Sequence, residues 1–341
     1  VAVAVAVAVA GVGLDLLDGY SRIDLDPASP MNSLLHVVAA VIHDDRGRVL
    51  LAQRPPGKPH AGYWEFPGGK VESGESPQAA LARELHEELG IQARIGRRLI
   101  AVPHQDIVLE AWRIVDFQGT LHPREDQKLA WIAPEDIDSA LLPPADRPIV
   151  SALRLPDHYL ITPPVEAEDL AGFLAAVDRA LGVGIRMLQL RQPGWSRAQL
   201  VPLARQVRDR CRHAGAALLL NTDWQVAELL GLDGVHLPAR VARTLDSRPL
   251  PRQRWLGVSC HDADELRHAA AIGADFATLS PVHFSPGHAD SQPLGWQRAE
   301  AMIAAAAIPV YALGGMQLSE MDIAHASGAQ GIAAIRSLWP D

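Results

Sequence analysis

Residues 69–91 read GKVESGESPQAALARELHEELGI, and their spacing decides the first half of the chain. Gly68 and Gly69 follow Glu65-Phe66-Pro67, so a strand runs into a flexible turn. Ser76 supplies a capping oxygen, and Pro77 takes the first helical position, where a missing N–H costs nothing. Leu81, Leu85 and Leu89 recur every fourth residue and predict a buried stripe. Beside that stripe stand Glu84, Glu87 and Glu88, at i, i+3 and i+4, which puts three carboxylates on one helical face. Like charges at that spacing repel. The face is therefore either open to water or neutralised by a hard cation such as Mg²⁺ or Mn²⁺. Arg83 precedes Glu87 by four residues and can pair with it, orienting a ligand.

The pattern Gly69-x5-Glu75-x7-Arg83-Glu84-Leu85-x-Glu87-Glu88-x-Gly90-Ile91 agrees with the Nudix box at every defined position. Residues 34–150 resemble Nudix hydrolases, most of all their MutT branch. The resemblance implies an α/β/α sandwich and Mg²⁺-dependent hydrolysis of a nucleoside diphosphate linked to another group. It assigns metal to Glu84, Glu87, Glu88 and the carbonyl of Gly68, with a further carboxylate at Glu125. Glu84 is the favoured base for the attacking water, Glu87 and Glu125 are alternatives, and Arg83 orients the ligands. By the same resemblance Arg54 contacts substrate phosphates, Phe66 lines the base pocket, and Glu65 and Pro67 join the substrate-binding set. On the residues alone, Arg54 is equally a surface arginine and Phe66 equally a core residue.

Leu142-Pro143-Pro144-Ala145-Asp146 resembles the MutT segment whose last position is usually Asn and reads an oxidised guanine edge. Asp146 stands there instead. An ionised Asp only accepts hydrogen bonds, whereas Asn both donates and accepts. Desolvation that keeps Asp146 protonated restores a donor; the other reading is a plain turn residue. The resemblance implies 8-oxo-dGTP as substrate, released as monophosphate and pyrophosphate.

After Pro156 short apolar runs recur at His158–Ile161, Ile185–Leu190, Ala216–Leu220, Gly234–Leu237, Trp255–Val258, Asp275–Leu279, Pro309–Leu313 and Gly331–Ile335. Helical stretches such as Glu166–Leu181 and Ser196–Arg212 lie between them. This alternation predicts a compact (β/α)₈ TIM barrel, with an open doubly wound sheet as the alternative. Tyr159-Leu160-Ile161-Thr162, Gln189-Leu190-Arg191, Asn221, Gly234-Val235-His236-Leu237, Gly257-Val258-Ser259-Cys260-His261 and Ala312-Leu313-Gly314-Gly315-Met316 resemble the thiamine phosphate synthase/TenI barrels. Such synthases join a pyrimidine pyrophosphate to a thiazole phosphate. Gln189, Arg191, Asn221, Ser259, Gly314, Gly315 and Arg336 are the implied ligand or phosphate contacts.

Several positions depart from that family. Pro193 replaces a lysine, and Thr222 replaces an aspartate, with Asp223 one place late. Val241 replaces a second metal-binding aspartate, Ser285-Pro286-Gly287-His288 replaces a Thr-Pro-Thr-Lys stretch, and Arg336 replaces a serine. A pyrophosphate site without its lysines and carboxylates loses its leaving-group stabilisation. The barrel is therefore expected to bind a phosphorylated ligand, or to regulate or stabilise the first domain. The alternative is a bifunctional thiamine-pathway enzyme.

Composition bounds the rest. The 341 residues are 48% hydrophobic with a net charge of −9, which supports packed cores and disfavours a nucleic-acid polymer as partner. Two cysteines, Cys211 and Cys260, permit no thiolate zinc cluster, and a reducing cytoplasm is expected. Residues 1–10 read VAVAVAVAVA and fall short of the roughly 20 apolar residues of a membrane span. The expected organisation is a disordered leader at 1–30, a first domain at 31–150, a linker at 151–156 and a barrel at 157–341.

Overall fold

A computed structural model describes residues 34–55, 57, 61–124, 127–284 and 292–340. In strand β1 (Leu35–Val41) successive side chains point to opposite faces of the sheet. Val38 and Ala40 pack with Leu81, Leu85 and Leu89 of helix α1 (Pro77–Leu89). Ala39 and Val41 turn the other way, onto Ile149, Val150 and Ala152 of helix α2 (Arg147–Arg154). Apolar side chains on both faces of one strand thus draw a helix to each side, giving the expected α/β/α sandwich.

Strand β1 lies in a four-stranded sheet with β4 (Gly68–Lys70), β5 (Gln92–His104) and β6 (Ile107–Gln118), in the order β4-β1-β6-β5. It runs antiparallel to β4 and parallel to β6. A second sheet orders β3 (Trp64–Glu65), β2 (Val49–Gln53) and β7 (Lys128–Ile132) as β3-β2-β7. Gly68 sits opposite Ala39 with φ 152°, and a Cβ there would fall 2.1 Å from the Val38 carbonyl oxygen. Only glycine permits this approach, which seats the turn before α1 against the sheet. Helix α1 starts as its sequence predicts, with Ser76 Oγ accepting from the Ala79 amide at 3.2 Å. It ends at Gly90, whose φ of 71° closes the last turn.

The linker expected at 151–156 is corrected. Helix α2 continues to Arg154, with Pro148 tolerated in its first turn and Ile149, Val150 and Ala152 buried. Asp146 ends a short 3₁₀ turn directly before this helix and is buried. The connection to the second half shrinks to Leu155, Pro156 and Asp157.

The second half closes into a parallel barrel. Its strands are β8 (His158–Ile161), β9 (Met187–Leu190), β10 (Ala217–Asn221), β11 (Gly234–Leu237), β12 (Trp255–Cys260), β13 (Phe276–Leu279), β14 (Val310–Ala312) and β15 (Gly331–Ala334). Strand β15 pairs back onto β8, which excludes the open sheet. Helices α3 (Leu170–Gly182) and α4 (Arg197–His213) cover two of the crossovers, and Ser196 with Gln199 forms a capping box at the start of α4. Inside the barrel, the rings of Tyr159, Phe276 and Tyr311 meet at centroid distances of 5.3–5.6 Å. Cys211 and Cys260 are free and buried, and burial pushes the Cys211 thiol up to about 12.

The first domain meets the barrel at the amino-terminal ends of β8 and β15. Gln330 Nε2, buried there, donates to the carbonyls of Ala152 at 3.1 Å and Leu155 at 2.9 Å. Asp157 pairs with Arg97 at 3.5 Å and His325 at 3.4 Å. Among the described residues no helix is long and apolar enough to cross a membrane. The leader expected at 1–30, Glu125 and the Ser285–His288 stretch lie outside the described residues.

Candidate active sites

Helix α1 delivers its acidic face to the glycine turn at β4. Glu88 Oε2 accepts from the Gly68 amide at 3.3 Å. The Glu84 carboxyl lies against Gly69 so closely that a Cβ at 69 would fall 2.3 Å from Glu84 Cδ. Arg83 Nη1 donates to Glu84 Oε1 at 2.9 Å and Glu87 Oε2 at 3.3 Å, while Nη2 donates to Glu75 Oε1 at 2.8 Å and the Lys70 carbonyl at 3.0 Å. One guanidinium thus gathers three carboxylates and the turn. The Arg83 hydrogen bond is the main cause holding the Glu75 carboxyl below the usual range. The same contacts, Glu75 first, raise the Arg83 pKa further.

Among the described residues no three acidic or histidine side chains close into a finished metal cage. Glu84 and Glu87 lean on Arg83, and Glu88 leans on the Gly68 amide. The donors are nonetheless all oxygens, and the missing Cβ of Gly69 leaves room for the Glu84 carboxyl beside the turn. Such a set fits Mg²⁺ or Mn²⁺ and suits no soft metal.

The expected substrate contacts lie at the other end of the same turn. Arg54 forms an ion pair with Glu65. Pro67 accepts from the Ala40 amide at 2.7 Å, fixing the turn. The Phe66 ring is 4% exposed and packs in the cluster of Leu142, Ala145 and Ile149. Its backbone amide donates to Asp146 Oδ1 at 3.4 Å. Burial pushes the Asp146 carboxyl up to about 7, against the Phe66 hydrogen bond, and the charge of Glu65 adds to the rise.

In the barrel a cavity of about 1340 Å³ opens at the carboxyl ends of the strands, opposite the first domain. Gln189, Arg191, Asn221, Ser259, Gly314, Gly315 and Arg336 all line it, so the structure brings every expected barrel contact together. A hydrogen-bonded chain crosses its floor. Asn221 Nδ2 donates to Gln189 Oε1 at 3.2 Å, and Gln189 Nε2 donates to the Tyr159 hydroxyl at 3.0 Å. The Tyr159 proton is then left for His236 Nδ1, 3.2 Å away. His236 Nε2, carrying the ring hydrogen, donates to Ser259 Oγ at 2.9 Å. Full burial pushes His236 down to about 3, so the ring is neutral near pH 7.

Residues 34–153 match the NUDIX domain family, and residues 158–338 match the thiamine monophosphate synthase family. Over 123 residues the chain is 48% identical to the CTP pyrophosphohydrolase of Escherichia coli (strain K12), spanning 35% of this chain and 90% of that protein. Over 200 residues it is 35% identical to the thiamine-phosphate synthase of Bordetella avium (strain 197N), spanning 56% of this chain and 91% of that protein. The chain belongs to both families.

In this synthase-family barrel the departures from the pattern have structural consequences. Asp223, one place late, is clamped by Arg197 through Nε–Oδ2 at 2.6 Å and Nη2–Oδ1 at 3.1 Å. Asp223 Oδ1 also accepts from the Val226 amide at 3.0 Å, capping helix α5 (Trp224–Leu229). Thr222 takes φ 72° and donates to Asn221 Oδ1 at 3.1 Å. Val241, on the short helix α6 (Ala239–Ala242), packs against the barrel core. These residues do not fit the divalent ion that the synthase resemblance implies.

Sequence reading passed over Tyr159 and His236 as site residues, although both stood in quoted strand segments. Strand periodicity alone could have flagged them, because an inward-facing polar ring in an apolar strand needs a partner. The Arg197–Asp223 pair joins residues from two crossovers and left no local trace. His261 and His283 pair with Glu265 at 2.9 Å and Glu320 at 2.7 Å.

Proposed function

We propose that the Nudix domain cleaves nucleoside triphosphates to monophosphate and pyrophosphate, and that Asp146 reads the base. The observation that carries this reading is the buried Asp146 carboxyl, poised to titrate near pH 7 at the end of the Glu65-Phe66-Pro67 turn. A protonated carboxyl presents a donor beside an acceptor. Cytosine offers the complement, a ring nitrogen that accepts next to an amino group that donates. The identity to a CTP pyrophosphohydrolase supports the same choice, so CTP is the first candidate. The edge of 8-oxoguanine offers an N–H next to a carbonyl, which the same carboxyl can also satisfy, and 8-oxo-dGTP is the second.

Glu84, Glu87 and Glu88 would hold the divalent ion. When bound, it supplies charge withdrawal from the phosphate oxygens and acidifies the attacking water. Glu84 receives the water proton, held by Arg83 in the space that the missing Cβ of Gly69 leaves. Arg83 keeps Glu84 and Glu87 together despite their like charge. Arg54, oriented by Glu65, faces the substrate phosphates.

For the barrel we propose binding of a phosphorylated ligand without efficient thiamine phosphate synthesis. The clamped Asp223 and the apolar Val241 support it. Its cavity opens at the carboxyl ends of the strands, whereas the first domain contacts the amino-terminal ends of β8 and β15.

The test is a panel of CTP, 8-oxo-dGTP, dGTP, ADP-ribose and thiamine diphosphate with Mg²⁺, comparing the wild type with Glu84→Gln. Preference for CTP or 8-oxo-dGTP, lost in the variant and in EDTA, is the expected result. Preference for thiamine diphosphate overturns the base-reading role, and unchanged turnover by the variant overturns the assignment of Glu84. Thiamine phosphate formation from the pyrimidine and thiazole substrates at ordinary enzymatic rates overturns the barrel reading.

A further inference from the structure

We propose that the barrel neutralises the phosphate group of its ligand with Arg191, Arg240 and Arg336, and with no divalent ion. This rests on the reading of the barrel as a phosphate-binding module and adds how the anion is held.

Two observations, made among the described residues, weigh against a metal-assisted arrangement. Asp223, the carboxylate that lines the cavity among the described residues, is offset in charge by Arg197 and fixed by two bonds from that guanidinium and one from the Val226 amide. At the second position Val241 offers no ligand atom and packs, half-buried, against the barrel core. Three guanidinium groups, by contrast, line the same cavity. Among the described residues Arg191, Arg240 and Arg336 have no carboxylate partner, whereas Arg197 does.

The electrostatics follow. Three unpaired cations round one mouth repel each other and repel a further cation. An anion relieves that repulsion, and a phosphate does so best, because each planar guanidinium presents paired N–H groups that match two phosphate oxygens. Deeper in the cavity, Ser259 accepts from the neutral His236, which leaves its own hydroxyl proton to donate. The ligand class is thus an organic phosphate or diphosphate ester with a hydrogen-bond acceptor on its non-phosphate end.

The experiment is calorimetric titration of the full-length protein with inorganic pyrophosphate in EDTA. Binding is expected without metal. Arg191→Ala and Arg240→Ala are each expected to weaken it about tenfold or more, the size of a lost charge-assisted hydrogen bond. Arg240→Lys keeps the charge and should retain part of the affinity; Arg240 is exposed, so neither variant at 240 threatens the fold. Binding that appears only with Mg²⁺ and is weakened by Arg191→Ala overturns the metal-free proposal while leaving the phosphate-binding reading intact; Mg²⁺-dependent binding indifferent to Arg191→Ala belongs to the Nudix site and overturns both. Metal-free binding indifferent to the arginine variants overturns the assignment of these residues. Absence of binding under both conditions overturns the proposal and that reading together.

Discussion

The Phe66 amide donates to Asp146 Oδ1 at 3.4 Å, joining the turn that precedes the Nudix helix to a segment 80 positions later. This contact holds Asp146 in a buried position that raises its folded-state pKa from 3.8 to about 7. Between those values the folded protein binds a proton that the unfolded chain releases. Stability therefore falls as pH rises through this window and levels off above about 7. Urea midpoints should decline from pH 5 to pH 8, and Asp146→Asn should flatten that decline. In the same variant kcat/KM for CTP should lose its alkaline fall near pH 7. Superimposable pH profiles for the two proteins would show that Asp146 does not titrate at the site.

Neighbouring glycines should behave differently on substitution. A methyl group at Gly69 meets only the flexible end of Glu84, so Gly69→Ala should fold with nearly wild-type stability yet displace the base. Its turnover should drop about 10²-fold or more, the scale of a lost general base. A methyl group at Gly68 meets the Val38 backbone instead, so Gly68→Ala should lower the melting temperature. Equal losses of stability in the two variants would contradict the geometry.

Arg83 contacts Glu75, Glu84, Glu87 and the Lys70 carbonyl at once. A lysine ammonium cannot span that set. Arg83→Lys is expected to raise the Mg²⁺ concentration needed for half-maximal activity by about 10–100-fold, the usual effect of losing a group that orients metal ligands. A Mg²⁺ titration of initial rates measures this directly. An unchanged requirement would reduce Arg83 to a surface ion pair.

Gln330 reaches from the barrel to two carbonyls at the end of helix α2. Gln330→Ala strands both in a buried seam, at a cost of about 1–3 kcal/mol for each. Scanning calorimetry should then resolve two unfolding transitions where the wild type shows closer coupling. Identical traces would mean that the seam contributes little to joining the domains.

The Nudix box was legible because its information is local: a cap, a leucine stripe and three glutamates at helical spacing specify a helix and its acidic face without reference to the rest of the chain. Strand periodicity likewise announced the barrel, and the TenI-like segments marked the contacts lining its cavity. Helix α2 was missed because prolines frame it and only three side chains bury, a pattern too short to separate from a loop.

The amino-acid order by itself determined which elements form and where acidic and apolar side chains fall along them. Closure of β15 onto β8, the desolvation of Asp146 and the capture of Asp223 by Arg197 were decided only in three dimensions. Each depends on groups far apart in the chain. A carboxyl's charge, or its availability to a metal, is set by what surrounds it after packing.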